Sequence, residues 1–124
     1  MSSEFWATVE RIRAGDGRYA RDAYGFVMDS LDFTMRSAGE RRHVSGAELV
    51  HALCANAKQR FGLFAYTVLS KWGLRSSDDV GDIVFQLIEA GILSRRESDT
   101  RADFERVLDF REALEASSLE EADG

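Results

Sequence analysis

His51 and Cys54 stand three residues apart on a predicted helix, so they share one of its faces. An imidazole and a thiolate at that spacing could supply half of a zinc site, or a nucleophile with its base. A second pair of ligands is missing, and His43 precedes the helix. A cysteine among Val50, Leu53 and Ala57 reads as a small core hydrophobe. Asp29 and Asp32 lie close to one turn apart and could pair for acid–base work, but a solvated helix face is the plainer account. Gly15-Asp16-Gly17 lacks both the preceding strand and the Lys-Ser/Thr of a phosphate loop. The sequence therefore predicts no catalytic group, no bound cofactor and no metal.

The elements that must position these residues are marked by glycine, because the chain contains no proline. Gly15/Gly17, Gly39, Gly62, Gly73 and Gly91 separate segments of helical length. The first runs from about Glu4 to Ala14, with Phe5, Trp6, Val9 and Ile12 on one face. The second runs from about Tyr19 to Ser37. Its stripe is Ala20, Ala23, Tyr24, Val27, Leu31 and Met35, widened by Tyr19, Phe26 and Phe33, which marks a central helix.

The third segment opens with Ser45-Gly46-Ala47-Glu48, a capping box, with Val44 and Leu49 placed for a hydrophobic staple. Its inward face continues through Leu53, Ala57 and Phe61. A short fourth helix spans Phe64 to Trp72. After the Gly73 turn, Ser76 and Asp79 repeat the capping-box spacing and open a fifth helix, Ser77 to Ala90. Val80, Ile83, Val84, Leu87 and Ile88 form its apolar face. Gly25 and Gly81 lie inside helices, where each costs about 1 kcal/mol against alanine. They imply close approach of another element, either an internal crossing or a groove for a partner helix.

Beyond Gly91 the period changes. Residues 94–103 are polar, and Phe104, Arg106, Leu108 and Phe110 alternate as in a strand. We favour a two-stranded hairpin with a long polar tip, although Phe104, Val107 and Leu108 also fit a helical turn. The predicted fold is mainly α, a single domain over 1–124. Residues 4–37 are a helical buttress, 45–110 a winged-helix-like core of three helices and a β-hairpin wing, and 116–124 a flexible acidic tail. An all-helical bundle whose last segment is another helix fits the same pattern.

The net charge of −6 is uneven: residues 1–62 carry +1 and residues 63–124 carry −7. Asp78, Asp79, Asp82, Gln86 and Glu89 fall on the solvent side of the fifth helix. Carboxylates there oppose a phosphate row, and Arg95, Arg96 and Arg101 on the wing alternate with Glu97, Asp99 and Asp103. These five residues are the predicted partner surface of a non-catalytic protein-interaction module with a basic protein partner. The alternative is a nucleic-acid-associated regulator binding elsewhere, through Arg41, Arg42, Lys58 and Arg60. No apolar run is long enough to span a membrane and no signal peptide is visible, so the expected location is the cytoplasm.

Several motifs in order add a resemblance. Asp16-Gly17-Arg18-Tyr19, Ala23-Tyr24 with Phe26-Val27, Arg42-His43-Val44-Ser45-Gly46, Phe61-Gly62, Trp72-Gly73, and Asp79-Val80-Gly81 followed by Ile83-Val84-Phe85 carry it. Over roughly Phe5 to Phe110 the chain resembles a small bacterial family restricted to Verrucomicrobia, Planctomycetes and their relatives. Gly17 stands where that family more often has proline, a difference that touches a turn. The resemblance implies no reaction, cofactor or partner, and carries over no functional residue.

Overall fold

The computed structural model describes residues 2–37, 44–94, 104, 105 and 107–114. Among them are five α-helices: α1 (Ser3–Gly15), α2 (Arg21–Ser37), α3 (Gly46–Phe61), α4 (Ala65–Lys71) and α5 (Ser77–Glu89). A 3₁₀ turn, Gly62–Phe64, joins α3 to α4, and residues 110–114 are helical.

Side-chain caps start α1, α3 and α5, the last two where the sequence signals them. Ser2 Oγ accepts from the Phe5 amide at 3.2 Å. Ser45 Oγ accepts from the Glu48 amide at 3.1 Å, and the Glu48 carboxylate returns to the Ser45 amide at 3.5 Å. At α5 the Asp79 carboxylate takes the amides of Arg75 and Ser76, at 2.9 and 3.2 Å. These contacts satisfy donors that a helix start leaves without partners.

The core is continuous through all five helices. Val9 of α1, Tyr24, Val27 and Leu31 of α2, Leu53 and Ala57 of α3, Leu69 of α4, and Val80, Ile83 and Leu87 of α5 are buried in it. Phe33 departs from its predicted place: it is 46% exposed and lines a surface recess with Asn56 and Gln59 of α3. Tyr19 and Ala20 precede α2 and belong to the α1–α2 connection. That connection lies against the α4–α5 turn, where the Ala20 amide donates to the Trp72 carbonyl at 3.0 Å. Gly73 makes this approach possible. Its φ is +94°, and a Cβ there would lie 2.7 Å from the Arg18 carbonyl oxygen.

The wing expectation is corrected. The described residues contain no strand, only one antiparallel bridge between Ser76 and Asp109. Residues 95–103, the expected polar tip, and the tail 116–124 lie outside the described residues. The alternation of Phe104 to Phe110 misleads because these residues do not stand in a two-faced ribbon. Phe104, Phe110 and Leu114 all turn into the core, and 110–114 form a helical turn. The fully buried Ser77 holds the segment. Its Oγ accepts from the amides of Val107 and Leu108, at 3.0 and 3.3 Å, and its own amide donates to the Leu108 carbonyl at 3.0 Å.

Both interior glycines mark internal crossings. A Cβ at Gly81 would lie 2.8 Å from Phe104 Cβ, and one at Gly25 would lie 2.8 Å from the ring of Trp6.

Candidate functional site

The five polar residues read from α5 do not form one surface. Asp78 and Glu89 are exposed, whereas Asp79, Asp82 and Gln86 are half-buried beneath the α1–α2 connection. The solvent-side expectation for these three is therefore corrected. Tyr19, itself only 2% exposed, points its hydroxyl between the two carboxylates, 2.9 Å from Asp79 Oδ1 and 2.8 Å from Asp82 Oδ2. One hydroxyl proton thus faces two acceptors. Tyr24 donates to Gln86 Oε1 at 2.6 Å, and Gln86 Nε2 donates to Asp16 Oδ2 at 3.1 Å. Arg18 closes the chain of contacts, reaching Asp16 at 2.9 Å and Asp82 at 3.4 Å.

The electrostatics follow from these partners. Hydrogen bonds from Arg18 hold the Asp16 carboxyl below its ordinary range. Burial, then the neighbouring Asp82 and Asp79, raises Tyr19 far above an ordinary phenol. Burial and the Asp16 charge push Tyr24 up to about 12. Both tyrosines are neutral donors throughout the physiological range. The network fastens the α1–α2 connection onto α5. Sequence periodicity cannot find it, because a tyrosine on an apolar stripe gives no sign of where its hydroxyl ends.

Asp78 lies instead on an open cleft of about 570 Å³ formed by the start of α5 and residues 107–113. Asp78, Asp109 and Glu112 line it with Ser76, Val107 and Leu108, and no lysine or arginine is among the described lining residues. A second recess of about 340 Å³ opens between α1, α2, the end of α3 and the end of α4, lined by Trp6, Phe26 and Trp72 together with Asp22, Asp29 and Arg60. A third, about 320 Å³, follows α2 and α3 past Asp32, Phe33, Asn56 and Gln59.

The candidate chemistry of the sequence separates in space. His51 is exposed, whereas Cys54 is buried and its thiol is pushed up to about 11 by burial. A thiol so disposed is a poor nucleophile and a poor metal ligand near neutral pH. Among the described residues no group of three or more His, Cys, Asp or Glu side chains could hold a metal ion. Asp29 and Asp32 each engage an arginine, Arg60 at 2.7 Å and Arg36 at 2.6 Å. That leaves Arg60 tied to Asp29, while Arg41 and Arg42 lie outside the described residues, as do Arg95, Arg96 and Arg101. No helix among the described residues is long and apolar enough to cross a membrane.

Comparison with known proteins returns no match to a family model, to a curated protein or to a solved structure.

Proposed function

We propose that the chain is a non-catalytic protein-interaction module built on a helix-turn-helix trio, α3–α4–α5, whose partner is a basic protein. The observation that carries this reading is the cleft at the start of α5. Three carboxylates, Asp78, Asp109 and Glu112, line it, with no lysine or arginine among the described residues of its walls. Charges gathered on one open surface steer an oppositely charged partner and set its orientation. The same charges repel a phosphate backbone. The interaction surface is thus narrower than the whole polar side of α5: Asp78 serves it, while Asp79, Asp82 and Gln86 bind the module's own N-terminal part. The resemblance to the Verrucomicrobia and Planctomycetes family adds no residue to this reading.

The test selects peptides from a random displayed library against the full chain. The enriched peptides should be rich in lysine and arginine and bind more weakly as salt rises. Asp78→Lys combined with Glu112→Lys should weaken them about tenfold, the order that two lost charge contacts give. Duplex DNA should bind more weakly than about 10⁻⁴ M. Selection of neutral or acidic peptides, or micromolar DNA binding, would overturn the proposal.

A further inference from the structure

We infer that the aromatic recess between α1, α2 and α4 receives the guanidinium of an arginine side chain from the partner. The inference rests on the basic-partner reading for the source of that side chain.

The recess is built by packing that its aromatic residues share. Phe26 is buried and meets Trp72 at 5.5 Å between ring centroids, and Phe61 stands edge-on to Trp72 at 5.8 Å. Trp6 comes over α2 where Gly25 offers no side chain, so its ring reaches the same opening. Trp6 and Trp72 are only half-buried. Part of the surface of these two indoles therefore opens onto a concave space of about 340 Å³.

Charge selects the class of ligand. Asp22, Asp29 and Arg60 are the charged residues of the lining. Asp29 and Arg60 neutralise each other at 2.7 Å. Asp22 is exposed and has neither ion pair nor hydrogen bond among the described residues. Arg21, beside Trp6 but outside the lining, is itself paired with Glu10 at 3.9 Å, so the lining keeps one net negative charge next to aromatic surface, and the two together favour a cation.

The choice of guanidinium over ammonium follows from the rings themselves. Arg21 places its guanidinium carbon 4.5 Å from the centroid of Trp6, and Arg60 lies 5.9 Å from that of Phe26. Trp6 and Phe26 thus each hold one of the chain's own guanidinium groups, and the incoming one meets Trp72 and the part of Trp6 that they leave open. A guanidinium is planar and weakly hydrated, so it stacks at lower desolvation cost than a lysine ammonium and can meet a carboxylate with two donors.

The experiment titrates the full chain with N-acetylarginine amide. The two tryptophans of the chain both line the recess, so tryptophan-selective fluorescence and the indole N–H resonances report on it. Both indole signals should shift saturably. N-acetylcitrulline amide, the neutral isostere, should leave them in place, and tetramethylammonium should bind less well than arginine. Asp22→Asn should weaken arginine binding about threefold, the usual size of one exposed charge contact. Because Asp22 also sits in the first turn of α2, the thermal midpoint of that variant is measured alongside. Unmoved indole signals at tens of millimolar arginine amide, equal binding of citrulline, tighter binding of tetramethylammonium, or an Asp22→Asn variant that binds like wild type would each overturn the inference. If the recess fails while library peptides still bind, the interaction module stands without it; if the peptides fail too, both fall.

Discussion

The Tyr24 hydroxyl donates to Oε1 of Gln86 at 2.6 Å, joining α2 to α5 across 62 residues of sequence. Tyr19 makes the parallel link from the connection to Asp79 and Asp82. Both phenols hold their protons more tightly in the folded chain than in the unfolded one. Their contribution to stability is fully present below the ordinary phenol range near pH 10 and is lost as pH rises through the folded values. For Tyr24 that window is about pH 10 to 12. Ultraviolet titration on a Tyr66→Phe background should show late ionisation of Tyr19 and Tyr24, coinciding with loss of helical circular dichroism. Ionisation at the free-phenol value with the fold intact would contradict the hydrogen bonds.

Ser77→Ala should destabilise the chain by about 1–3 kcal/mol, because it leaves the amides of Val107 and Leu108 without their acceptor. The loss should be local first. Amide exchange at 107–114 should accelerate before that of α2 and α3, whereas uniform acceleration would mean that the segment is integral to the helical core.

Gly81→Ala and Gly25→Ala should differ. Each gains about 1 kcal/mol of helix propensity. The new methyl at position 81 meets Phe104 Cβ, an atom tied to the backbone, and at position 25 it meets the far end of the Trp6 side chain. Overpacking against a fixed atom costs about 1–3 kcal/mol. Gly81→Ala should therefore lower the denaturant midpoint, with Gly25→Ala close to wild type.

Ser45→Ala removes the α3 cap and should cost about 1 kcal/mol. Val44→Asp should cost at least as much, because Val44 is fully buried beside that cap. Equilibrium urea unfolding of both variants measures this, and unchanged midpoints would mean that α3 starts elsewhere.

Cys54 should resist alkylation in the native state at neutral pH. Its thiol is buried and pushed up to about 11, so little thiolate exists and none faces solvent. Mass spectrometry after iodoacetamide treatment should find modification only above the concentration of urea that unfolds the chain.

The sequence by itself determined that α1 to α5 exist and where α3 and α5 start. Ser45 and Glu48 define a cap through a spacing of three residues, and the apolar stripe of α5 is a matter of helical period. Such signals are local, so they need no knowledge of neighbours. Gly25 and Gly81 likewise announced close crossings. What the local pattern could not supply was the neighbour itself. Asp79, Asp82 and Gln86 occupy the side of α5 away from its apolar stripe, and only the tertiary fold lays Tyr19, Tyr24 and Asp16 across it. The segment after Phe104 shows the same limit in reverse. Its alternation is that of a strand, yet a strand needs a partner to take its backbone hydrogen bonds. Here Ser77, Arg75 and the start of α5 take the described ones, and the chain turns helical with Phe110 and Leu114 in the core. The recess of Trp6, Phe26 and Trp72 is likewise a tertiary product, because its three rings come from separate segments and meet only when α1 and α4 close on α2.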